Sequence, residues 1–136
     1  MTNDTLSTAI NHIILAGPEE TVFSSITSLL ETPMARVCFA DSGEQVLLNF
    51  DHEKTTLLII DDDLQDMSAR RLIETVIMKN PMIHCVVISA LNRDDFHDRY
   101  EGLGVLMQFS KTPSKDDVKA LMEQIERICR LQASVR

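Results

Sequence analysis

Five short apolar runs recur along the chain at near-regular intervals: Ile13–Ala16, Val37–Ala40, Leu57–Ile60, Cys85–Ile88 and Val105–Phe109. Most consist of Val, Ile and Leu without polar alternation, the pattern of strands buried on both faces. Segments of helical period separate them. Val22, Ile26, Leu29 and Leu30 share one face of a first helix, with Pro18 placed for its first turn. Ser42 and Gln45 form a capping-box pattern before Val46, Leu47 and Phe50. Leu72, Ile73, Val76 and Ile77 make a third stripe with Ser68 as its N-cap. The fourth helix, around Asp94–Tyr100, is the weakest and offers only Phe96 and Tyr100 as anchors. The fifth is the clearest: Pro113, Ser114 as cap, then Val118, Leu121, Met122, Ile125, Ile128 and Cys129.

Strand and helix alternating five times imply an α/β/α sandwich, a parallel sheet with five flanking helices joined by right-handed crossovers. The flavodoxin-like, doubly wound order 2-1-3-4-5 is the commoner arrangement at this size. A chain of 136 residues suits one core. The boundaries read as a polar N-terminal extension over 1–11, a domain over 12–132 and a tail over 133–136.

Lys and Arg number 13 against 21 Asp and Glu, a net charge of −8. That balance argues against nucleic-acid binding and against attachment to anionic lipid. No signal peptide or membrane-spanning run is visible, and the three cysteines are too widely spaced for a zinc site or disulfide framework. A cytoplasmic protein is expected. Four glycines leave no phosphate-binding glycine loop, and His12, His52, His84 and His97 are scattered.

In the order 2-1-3-4-5, ligands bind beyond the carboxyl ends of strands 1 and 3, where the chain changes direction. Strand 3 ends in Asp61-Asp62-Asp63-Leu64-Gln65-Asp66, four acids in six residues. Carboxylates about 4 Å apart repel by roughly 4 kcal/mol at an effective dielectric near 20. Such a tract recruits a cation, raises a pKa or points apart into water, and Mg²⁺ suits hard oxygen ligands on a short loop. Taken alone, it reads equally as a solvated turn before the Ser68 cap. Ser89 ends the fourth run and Lys111 follows the fifth, so both belong to the same rim. An acid, a hydroxyl and an ammonium on three neighbouring strand ends favour a phosphoryl pocket.

Here the chain resembles the response-regulator receiver domain of two-component signalling over nearly its whole length. The loop Leu64-Gln65-Asp66-Met67-Ser68-Ala69 is similar to the family's Met/Leu-Pro-x-Met-Asp/Ser-Gly loop, with Gln65 for proline and Ala69 for glycine. Ser89-Ala90 resembles its Thr/Ser-Ala pair, Lys111 its lysine, and Ala40-Asp41-Ser42-Gly43-Glu44 the approach to its second helix. The resemblance implies Asp61 as phosphoacceptor, with Ser89 and Lys111 binding the phosphoryl group. It also implies a histidine kinase or histidine phosphotransfer protein as donor. Docking, including a possible homodimer, would use the helix 4–strand 5–helix 5 face.

Departures from the family pattern are specific. The acidic pair that holds Mg²⁺ after strand 1 is replaced by Gly17 and Pro18. Gln108 stands where the family has its relaying aromatic residue, and Thr112 separates Lys111 from Pro113. Weak Mg²⁺ binding is therefore expected, with Asp61, Asp63 and Glu19 as the remaining ligands. Two signalling readings stay open, a phosphorylated receiver and a phosphorylation-independent pseudo-receiver used for docking; neither is an enzyme. A third treats Glu19, Asp61 and Asp63 as the metal site of a Toprim-like enzyme, though that pattern gives Ser89 and Lys111 no role.

Overall fold

The computed structural model describes residues 11–33 and 35–135, with side chains through residue 132. The expected extension therefore lies outside the described residues except for Asn11. Five strands form one parallel sheet: β1 (His12–Ala16), β2 (Arg36–Ala40), β3 (Thr55–Asp61), β4 (His84–Ile88) and β5 (Met107–Phe109). Their order is β2-β1-β3-β4-β5, as the alternation of runs predicts. Five α-helices connect and cover them: α1 (Thr27–Leu30), α2 (Gly43–Asn49), α3 (Ala69–Lys79), α4 (Arg93–Tyr100) and α5 (Lys115–Val135).

Successive strand residues point to opposite faces, which divides the core into two halves. On one side Ile13, Leu15, Leu57, Ile59, Val86 and Ile88 pack with Phe23 and with Leu121 and Ile125 of α5. On the other, Ile14, Leu58, Ile60 and Val87 meet Val46 of α2, Leu72, Ile73 and Val76 of α3, and Tyr100 of α4. The capping serines act as their positions predict. Ser42 accepts the Gln45 N–H, Ser68 accepts the Arg71 N–H, and Ser114 exchanges hydrogen bonds with Asp117.

The first helix departs from its predicted form. It is a single 3₁₀ turn at Glu20–Phe23 followed by the four-residue α1. Ser24 and Thr27 donate their hydroxyls to the Thr21 and Phe23 carbonyls, local bonds that compete with a regular helical ladder. The buried face consequently carries Phe23 and Ile26, while Leu29 is exposed. At the other end, α5 continues to Val135 and so takes in residues 133–135 of the expected tail. No glycine or proline interrupts Leu131–Val135, and leucine, glutamine and alanine favour helix. Among the described residues no helix is long and apolar enough to cross a membrane.

Candidate functional site

The chain leaves β1 toward β2 on one side and leaves β3 toward β4 on the other, so a crevice opens where these strands end. Asp61 is the last residue of β3 and pairs with Ile88, which places Ser89 one residue beyond it on the neighbouring strand. Asp61 is 3% exposed and Ser89 2%. The Asp62 N–H donates to the Ile88 carbonyl and the Ser89 N–H to that of Phe109, binding the three loops into one rim.

Lys111 crosses this rim. Its Nζ donates to Asp61 Oδ1 at 2.8 Å, and to Asp62 Oδ1 and Asp63 Oδ2 at 2.9 Å each. One ammonium thus gathers three carboxylates, answering the repulsion anticipated from the tract. Burial alone would lower the Lys111 pKa, but bonds to Asp61, Asp63 and Asp62 outweigh it and hold the group above its ordinary value. Asp61 Oδ1 also accepts the Asp63 N–H at 3.0 Å. Oδ2 is thus the Asp61 oxygen without a hydrogen-bond donor among the described residues.

Of the residues singled out from sequence, Asp61, Asp63, Ser89 and Lys111 share this rim. The Ser89 hydroxyl itself accepts the Leu91 N–H at 3.1 Å. Glu19 is exposed and precedes the 3₁₀ turn. The one group of three candidate ligands among the described residues is Asp61, Asp62 and Asp63, whose oxygens lie within 4.8 Å of one another. Glu19 is not part of it, and Asp62 is a member that sequence reasoning passed over, although it stands in the same acidic tract. Asp66 is employed elsewhere: its carboxylate accepts the N–H groups of Gly43 and Glu44 at 2.9 and 3.0 Å, capping α2.

Gly17 ends the β1 side of the crevice and donates its N–H to the Ala40 carbonyl. A Cβ on Gly17 would lie 2.9 Å from the Asp61 Cβ, closer than such atoms pack. Position 17 is therefore closed to any larger side chain in this backbone. Gln108 on β5 donates its amide to the carbonyls of Ser89 and Leu91 at 3.0 and 2.9 Å. It tethers the β4–α4 loop rather than facing solvent at an edge. Tyr100 lies near enough to sense the acids: burial, then the charge of Asp62, pushes its hydroxyl up to about 12.

The three carboxylates form an all-oxygen set of the kind Mg²⁺ accepts. The Lys111 ammonium already bonds to each of them, and β1 supplies no acid at Gly17 or Pro18. The donor chemistry fits the metal, with Lys111 as its competitor.

No family model and no curated protein matches the chain. Solved structures do. A CheY-like response regulator receiver domain protein from Methanospirillum hungatei superposes with a TM-score of 0.76 at 15% identity, covering 90% of this chain and 98% of that one. The signal receiver domain of an HD domain-containing protein from Pseudomonas fluorescens gives 0.75 at 15% identity, covering 93% of each chain. A response regulator receiver domain protein from Clostridium thermocellum gives 0.75 at 17% identity, covering 90% and 99%. The chain has the flavodoxin-like fold of CheY-like receiver domains; at these identities the likeness establishes the fold.

Proposed function

We propose that this protein is a receiver-type signalling module that accepts a phosphoryl group on Asp61 and acts by docking on other proteins. The reading rests chiefly on the state of Asp61. One of its oxygens is held by Lys111 and the Asp63 N–H, and the other has no donor among the described residues, at the crevice where this fold binds ligands. In the transfer, Oδ2 attacks the phosphorus of a phosphohistidine on a histidine kinase or phosphotransfer protein. The P–N bond breaks and the imidazole leaves with its electron pair. Lys111 offsets the added negative charge, and Ser89 stands on the adjoining strand end to hydrogen-bond a phosphoryl oxygen. Mg²⁺, when held by Asp61, Asp62 and Asp63, would supply further charge neutralisation. Its affinity is expected to be weak, because Lys111 occupies the same oxygens. The docking surface in this reading is the α4–β5–α5 face, and on its α4–β5 side a cavity of about 940 Å³ is lined by Phe96, Tyr100, Leu106, Met107 and Gln108. A kinase, a phosphotransfer protein or a second copy would dock there.

A second reading is supported by the closure of position 17. Without acids at Gly17 and Pro18, the module would dock without being phosphorylated, Lys111 standing permanently where charge is needed. Incubation with acetyl phosphate and Mg²⁺, followed by intact mass, separates the two. The first reading expects slow addition of a single phosphoryl group that Asp61→Asn abolishes. Addition that survives the substitution would remove Asp61 from the role, and no addition at all would leave the docking module. The Toprim-like alternative has no support from Glu19, which stays outside the acid group.

A further inference from the structure

The end of the sheet opposite Asp61 brings a second set of reactive groups together. His12 opens β1, Cys38 lies within β2 and Thr55 opens β3. The parallel register sets His12 beside Thr55 and Ile14 beside Cys38, so His12 and Cys38 are diagonal neighbours on one face. Cys38 Sγ lies 3.3 Å from His12 Nε2. The other ring nitrogen, Nδ1, lies 2.8 Å from Oγ1 of Thr55, which is fully buried. That hydroxyl also accepts the Asp51 N–H at 2.9 Å. Thiol, imidazole and a fixed orienting group thus stand in line, the arrangement of a nucleophile with its own base.

His12 and Cys38 line a cavity of about 530 Å³ whose wall also carries Arg36, Lys54 and Asp51, with Thr55 buried behind the ring. Two cations against one carboxylate favour an anionic visitor. A metal is a poor fit, since a closed zinc site takes four ligands. Among the described residues no further His, Cys, Asp or Glu converges on this pair. Burial holds the Cys38 thiol above its ordinary pKa, with Arg36 opposing. Burial, then Arg36, lowers that of His12 against the pull of Asp51. Both shifts keep the resting pair uncharged, so the thiol proton moves to the imidazole 3.3 Å away only as the sulfur attacks.

We infer that Cys38 is a base-assisted thiol that exchanges with small anionic disulfides of the glutathione class bound in this cavity. Its sulfur attacks one sulfur of the disulfide while its proton passes to His12 Nε2. The disulfide bond of the reagent breaks, and the departing thiolate collects the proton from Nε2. The products are a mixed disulfide on Cys38 and one free thiol, so the reagent is the only oxidant required. The Nδ1–H donated to Thr55 Oγ1 steadies the ring while it carries the second proton.

Two other thiols in the chain serve as controls. Cys85 is buried, and half-buried Cys129 has no imidazole in contact among the described residues. The full-length protein is incubated with glutathione disulfide, and modification is followed by intact mass and peptide mapping. Cys38 is expected to react at least tenfold faster than Cys129. His12→Gln should remove most of that advantage and leave the Cys129 rate unchanged. Lys54→Glu should slow exchange with glutathione disulfide but not with the cationic disulfide cystamine. Modification of Cys129 before Cys38, or a Cys38 rate indifferent to His12→Gln, would overturn the inference. Should His12→Gln raise the Cys85 and Cys129 rates by loosening the fold, Thr55→Val decides: slower exchange at Cys38 supports the assignment and an unchanged rate refutes it.

Discussion

Position 17 has only a hydrogen where most residues carry a Cβ, and the Asp61 side chain uses that space. A methyl group there would sit 2.9 Å from the Asp61 Cβ, and neither atom belongs to the flexible end of a long chain. Gly17→Ala is therefore expected to destabilise the fold by about 1–3 kcal/mol, the usual range for overpacking. Urea denaturation measures this, and a neutral result would show that the strand end can retreat. The sequence records that an acid is missing at this position, whereas the close approach of the two strand ends there is a distance that no linear pattern contains. Gln108 illustrates the same gap. Its polarity is visible in the sequence, whereas its two bonds to the Ser89 and Leu91 carbonyls depend on how far β5 lies from the neighbouring loop. The placement of Asp61, Ser89 and Lys111 on one rim was readable because each stands at or just beyond the end of a strand in a sheet of expected order.

At the scale of elements, the strands were legible for a simple reason. The inner strands β1, β3 and β4 are covered on both faces, so the centre of each is apolar and stands out as an uninterrupted run. The first helix was less legible, because its apolar spacing is helical while its serines and threonines bond locally to backbone carbonyls. The acidic loop also divides more finely than its composition implies. Three of its acids meet Lys111, and the fourth, Asp66, reaches across to cap α2. The Gly43 N–H, then that of Glu44, hold the Asp66 carboxyl below its ordinary pKa. A depressed carboxylate contributes stability above its unfolded pKa and loses it as pH falls through the folded value. Asp66→Ala should cost about 0.5–2 kcal/mol, the range for a lost N-terminal cap. Amide exchange should quicken at Gly43 and Glu44 while the Lys111 cluster is untouched. Equal quickening across β3 would mean that Asp66 supports the sheet rather than the helix.

For the molecule as a whole, the sheet's dry interior sets a limit on alkaline stability. Burial pushes the Cys85 thiol up to about 12 from an ordinary value of 9.0. The Tyr100 hydroxyl is likewise raised to about 12 from 10.0. In both cases the folded chain keeps a proton that the unfolded chain gives up. Their contribution is therefore complete below the unfolded pKa and drains as pH climbs toward the folded one. Between pH 9 and 10 Cys85 is in its window, together with the entry into theirs of Cys38 and Cys129, whose thiols burial also raises, and above 10 Tyr100 joins them. Each group within its window removes roughly 1.4 kcal/mol per pH unit. Urea midpoints taken from pH 8 to 11 should accordingly bend downward near 9 and more steeply beyond 10. The net negative charge, −8 at pH 7, adds self-repulsion across this range, but to the same degree in wild type and in a variant lacking only the Cys85 thiol. The comparison with Cys85→Ala isolates the thiol: the variant starts less stable because of the cavity it opens, yet loses less between pH 9 and 10. If both proteins fell with the same slope, the buried thiol would have no part in the alkaline limit, and its place in the β4 core would be one of packing alone.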